Sequence, residues 1–156
     1  TSVTTTIDNN INTTTATDNI SNINSLTEEN IISKLGVSIQ NSCITNISIG
    51  TTLGNIKSNL SGLTVTIPNI SDNDILKTGQ VITITDGSST FTYTISIKGD
   101  VNGDGEIKAS DYGMIVKKIM EEVNLSMAQQ IAADVNNDGE IKASDYGIVV
   151  KTIMER

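Results

Sequence analysis

Oxygen-bearing side chains recur at alternate positions twice in the last third of the chain. The segment DVNGDGEIKASD carries them at Asp100, Asn102, Asp104 and Asp111, and DVNNDGEIKASD carries them at Asp134, Asn136, Asp138 and Asp145. The pattern is D-x-N-x-D-G with an acid at the twelfth place. Alternate residues of a tightly wound loop point inward together, and a calcium ion takes about six to eight oxygens at roughly 2.3–2.6 Å. Gly105 and Gly139 stand where such a loop turns sharply. Glu106 and Glu140 hold the seventh place, where the backbone carbonyl is the donor. They count with the metal site on that basis, their carboxylates free to face water. Lys108 and Lys142, at the ninth place, offer no side-chain oxygen, so a water is expected there. Ile107 and Ile141, at the eighth, are expected to pair the loops through an apolar contact. One such loop could be an acidic surface turn, but two in fixed register point to two Ca²⁺ ions. Magnesium, which demands octahedral geometry and keeps more waters, fits less well.

The loops belong to a longer repeat with a period of 34 residues, Asp100–Glu121 and Asp134–Glu155. Exchanges between the copies include Gly103/Asn137, Met114/Ile148 and Lys118/Thr152. After each loop the apolar residues fall at helical spacing: Tyr112, Ile115, Val116, Ile119 and Met120, then Tyr146, Val149, Val150, Ile153 and Met154. These stripes are expected to pack on each other as a core. A connector capped by Ser126 and carrying Met127, Ile131 and Ala132 joins the copies. The twelfth residue is Asp rather than Glu, and the run before Asp100, FTYTISIKG, is strand-like. Each unit therefore reads as a loop with an exiting helix and no entering one, unlike an EF-hand.

Upstream, residues 1–24 are Thr, Asn, Ser, Asp and Ile with almost nothing else, and read as a linker. A helix is expected from Ser25 or Thr27 to the C-cap Gly36, with Ile31, Ile32 and Leu35 on one face. Residues 37–98 read as strands and a short helix. Val37–Gln40 and Ile44–Ile49 flank an Asn41-Ser42 turn, and Thr51 or Thr52 caps a helix carrying Leu53, Ile56 and Leu60. Leu63, Val65 and Ile67 alternate as a strand that Pro68 stops. The strongest hairpin signal is Val81–Thr85, a turn at Asp86–Ser89, then Thr90–Lys98. In its second strand Phe91, Tyr93, Ile95 and Ile97 alternate with Thr92, Thr94, Ser96 and Lys98, which predicts one buried and one wet face.

The net charge is −8 over 156 residues, with no His and one Cys. Imidazole chemistry and a disulfide framework are excluded, and Cys43 reads as a small buried apolar residue. An acidic chain with no basic patch argues against nucleic acid or anionic membrane as partner, and no apolar run is long enough to span a bilayer. Residues 37–98 offer no nucleophile–base pair and no phosphate loop. Residue 1 is Thr, which reads as a fragment or a processed chain.

With GDVNGDGEIKASD and ADVNNDGEIKASD each followed by an amphipathic helix, residues 99–156 resemble the type I dockerin family, and residues 37–98, within a small α+β module over 25–98, resemble more diffusely the small β-rich modules found upstream of dockerins. The resemblance implies an α+β N-terminal module followed by an all-α dockerin-like pair of calcium loop–helix (F-hand) units. It implies docking onto a cohesin domain of a scaffolding protein, an extracellular setting in an anaerobic bacterium, and a parent protein with an upstream, glycan-degrading enzyme domain. The fragment itself is expected to be non-catalytic. Family docking positions fall on Ala109, Ser110, Gly113, Met114, Lys117 and Glu121, and in the second copy on Ala143, Ser144, Gly147, Ile148, Lys151 and Glu155. Their near identity suggests two interchangeable faces about a pseudo-twofold axis. Rival readings are a calcium sensor that opens a groove for a helical target, and a carbohydrate-binding role for residues 37–98. The second would call for exposed aromatics.

Overall fold

The computed structural model describes residues 25–155, so the expected linker over 1–24 lies outside the described residues. The chain runs α1 (Glu28–Leu35), β1 (Ser38–Gln40), β2 (Cys43–Thr45), α2 (Leu53–Asn59), β3 (Thr64–Thr66), β4 (Val81–Thr85), β5 (Thr90–Ile95), α3 (Ala109–Ile119), α4 (Met127–Ala133) and α5 (Ala143–Met154). Overall it is α+β.

Local signals account for most element ends. Thr27, not Ser25, caps α1, its hydroxyl accepting from the Asn30 N–H at 3.2 Å. Gly36 closes the helix in the left-handed region at φ 65°, its N–H reaching the Ile32 carbonyl. Asn41 and Ser42 both have positive φ, 49° and 59°, as a two-residue turn between β1 and β2 requires. The second strand ends at Thr45 rather than running to Ile49, because Asn46 turns into the left-handed region at φ 63°. Thr52 caps α2 in a reciprocal box with Asn55.

The five strands lie in the order β1-β2-β5-β4-β3, with β2 and β5 parallel and the other pairs antiparallel. Ile82 faces Tyr93 and Ile84 faces Phe91 across the hairpin. Ile31 from α1 and Leu53 and Ile56 from α2 join Ile44, Val65, Ile82, Ile84, Tyr93 and Ile95 in one buried cluster. Tyr93 also donates its hydroxyl to Glu28 at 3.0 Å, tying α1 to the sheet. Cys43 is buried and free.

The wet face expected of the last strand fails at Ser96, which is only 1% exposed. Its hydroxyl donates to the Ala128 carbonyl at 2.7 Å, so α4 covers the sheet there and a small hydroxyl residue meets helix backbone. Ala128, Ala132 and Ala133 are the buried side of α4, while Met127 is exposed. The tail of the sheet continues into the repeat through the Gly99 N–H to the Ala132 carbonyl at 2.9 Å.

A second buried cluster unites Val101, Ile107, Ile115, Leu125, Ala133 and Val149. Helices α3 and α5 pack against each other. The expected apolar stripes are only partly covered. Ile115 and Val149 are buried and Tyr112 and Ile153 pack at the margin, but Ile119, Met120, Tyr146 and Met154 are exposed, Met154 by 81%. Two helices and one short connector enclose too little volume to cover five residues on each, and the last turns stay open. Ile115 against Val149 is a fourth exchange between the copies, and it is conservative because it falls in this small core. The expected absence of an entering helix holds for the first loop alone: α4 runs directly into the second, ending on Asp134.

Candidate metal centre

Both repeated segments fold as loops in which carboxylates accept from backbone N–H groups. In the first, Asp100 Oδ1 accepts from Gly103 at 3.0 Å and Gly105 at 3.3 Å. Asp111 Oδ1 accepts from Val101 at 2.8 Å and Asn102 at 3.0 Å, and its Oδ2 from Lys108 at 2.8 Å. Asp111 thereby clamps both ends of the loop while standing in the first turn of α3, where the helix dipole favours an anion. The second loop repeats this. Asp134 accepts from Asp138 and Gly139, and Asp145 from Val135, Asn136 and Lys142. Asp111 and Asp145 are both fully buried. Burial pushes the Asp111 carboxyl above the usual carboxylate range, Asp104 adds to the rise, and the three N–H bonds oppose it.

The third and fifth places are linked in both copies. Asn102 Oδ1 accepts from the Asp104 N–H, and its amide donates to Asp104 Oδ2 at 3.0 Å and to Ser110 Oγ at 2.9 Å. Asn136 makes the matching bonds to Asp138 and Ser144. Glu106 and Glu140 are exposed and pair with Lys108 and Lys142.

The side-chain acceptors on each loop are all oxygen, from Asp and Asn, which suits a hard cation such as calcium and not a softer metal. Among the described residues no three acidic, Cys or His side chains converge into a cage by themselves. Like-charged carboxylates repel at short range, and here each is turned onto N–H donors. A cation of +2 charge supplies the attraction that draws such oxygens together.

The residue that sequence reasoning missed is Thr78. Its N–H donates to Asp100 Oδ2 at 2.9 Å in a buried contact, so a residue of the upstream sheet region holds the first acid of the first loop.

Residues 98–154 match the family model of the type I dockerin domain. This segment is a type I dockerin domain. No curated protein and no solved structure shows significant similarity to the chain. Dockerin domains bind calcium, dock onto cohesins and are non-catalytic, and they occur in extracellular cellulosome components. Among the described residues no helix is long and apolar enough to cross a membrane.

On the dockerin domain, Ala109, Ser110, Lys117 and Glu121 are exposed, while Gly113 and Met114 are half-buried. Met114 packs against the second cluster. In the other copy Ala143, Ser144, Gly147, Ile148, Lys151 and Glu155 are all exposed. The two faces are therefore alike in sequence but unequal in cover. Phe91 and Tyr93 are stacked in the sheet, Tyr93 buried and Phe91 packed against the core, so neither forms an open sugar platform.

Proposed function

We propose that the dockerin domain takes two calcium ions and anchors its parent protein, a secreted glycan-degrading enzyme of an anaerobic bacterium, to a cohesin on a scaffold. Asp100, Asn102, Asp104, Asp111 and the Glu106 carbonyl hold one ion. Asp134, Asn136, Asp138, Asp145 and the Glu140 carbonyl hold the other. Each ion fixes its loop, the loop fixes the start of the following helix, and the helix presents Ala-Ser, Gly, Lys and Glu positions to a flat cohesin sheet. Ala109, Gly113, Ala143 and Gly147 permit close approach, Ser110 and Ser144 offer hydroxyls, and Lys117 and Lys151 offer charge at the rim.

The observation that carries the reading is the bond from the third-place Asn amide to Ser110 or Ser144, present in both loops. It joins a metal-site residue directly to a docking-position hydroxyl. Capture on immobilised cohesins, with calcium and with chelator, tests the proposal. Binding is expected in calcium alone. Changing Ser110 and Lys117 to Ala together leaves capture nearly intact, because the second face substitutes, and adding Ser144→Ala and Lys151→Ala abolishes it. Capture that survives chelation would refute calcium dependence. A large loss from the first pair alone would refute interchangeable faces.

A further inference from the structure

The two loops share nearly all their residues but not their surroundings. In the first, Asp100, Val101, Gly105 and Ile107 are buried; their counterparts Asp134, Val135 and Ile141 are half-buried and Gly139 is exposed. The cover comes from Ile75–Thr78, which precedes β4. A Cβ on Gly103 would stand 2.5 Å from the Thr78 carbonyl oxygen, and one on Gly105 would stand 2.8 Å from Ile75 Cδ1. A Cβ on Gly139 would meet nothing within 4 Å. Gly103 and its counterpart Asn137 both have positive φ, 75° and 61°, so the backbone conformation itself admits Asn. What excludes a side chain at 103 is the opposing wall.

That wall is fixed from behind. Leu76 is fully buried with its N–H on the Thr51 carbonyl at 2.8 Å. The Thr78 hydroxyl donates to the Ile97 carbonyl at 3.3 Å and accepts from the Ile97 N–H at 3.0 Å. Thr78 thus grips the segment leading into the loop with its side chain, and Asp100 with its backbone. The second loop has no such partner for Asp134 among the described residues.

We propose that Ile75–Thr78 is the wall of the first calcium loop, preorganising Asp100 so that this loop takes its ion more tightly than the second and passes the stabilisation to the upstream sheet. This rests on the calcium reading above and adds Thr78 and Gly103 as positioning residues. A ligand already oriented by three N–H donors loses little freedom when the ion arrives.

Calcium titration calorimetry on the full chain is the test. The wild type is expected to show two unequal affinities. Gly103→Asn, which copies the second loop, weakens the tighter one by about tenfold or more, as loss of a charge-assisted hydrogen bond would, and leaves the weaker one unchanged. Asn137→Gly changes neither. Hydrogen exchange on the wild type gives a readout independent of any variant's folding: the Thr78 amide slows on adding calcium, while the Ser71 amide, in an exposed turn, does not. Equal affinities, an unaltered tight site in Gly103→Asn, or a Thr78 amide indifferent to calcium would each overturn the wall. Absence of any calcium uptake would overturn the calcium reading, and the wall with it.

Discussion

Asp111 and Asp145 each satisfy three backbone N–H groups from one buried carboxylate. Replacing Asp111 by Ala strips those donors of their partner in a buried place, at a cost of about 3 kcal/mol, to be measured by urea unfolding without calcium. With calcium present, Asp111→Ala and Asp145→Ala are each expected to lower calorimetric stoichiometry from two ions to one, and the double variant to none. If either single change leaves two ions bound, the twelfth-place residues are not ligands. At this scale the two loops and their clamping carboxylates were legible, because a tight loop needs its side-chain oxygens at fixed spacing. Thr78 was not, since a backbone N–H leaves no trace in residue type. The exchange of Gly103 for Asn137 was the visible sign of it, but a glycine in a turn-rich loop does not announce what stands opposite.

Among the elements, caps and turns followed from local chemistry, while burial did not. Thr52 and Ser126 start helices and Gly36 stops one where their side chains, or the lack of one, dictate. The dry Ser96 and the open Ile119 and Met154 depended on which element covers which, and periodicity marks a face without saying how much of it a neighbour reaches. Gly36→Ala, forced into the left-handed region, is expected to destabilise the sheet region by about 1 kcal/mol. Tyr93→Phe, which removes the bond to Glu28, is expected to cost about 1 kcal/mol. Denaturant midpoints check both, and no shift in either would mean that α1 contributes nothing to holding the sheet. Asp86 sits in the hairpin turn, where N–H groups of Ser89, Leu26 and Ser88 hold its carboxyl below the usual range. Its contribution is present above the ordinary Asp range and is lost as pH falls through its depressed value, which an NMR titration of the carboxyl would follow.

For the whole molecule, the sheet region and the dockerin domain share contacts at Thr78–Asp100 and Ser96–Ala128, while Lys98–Val135 and Gly99–Ala132 tie the start of the domain to its second half. The sequence showed a strand leading into the first loop but not that α4 would return to cover it, because that contact joins residues 32 positions apart. The six Asp carboxylates of the two loops repel without a counter-ion, so ion uptake stabilises the fold of residues 98–154. The most direct test is a thermal melt of the full chain followed by helical circular dichroism, in saturating calcium and in chelator. A higher midpoint and a larger helical signal are expected in calcium, both reversed by chelation. Superimposable melts in the two conditions would refute calcium-coupled folding.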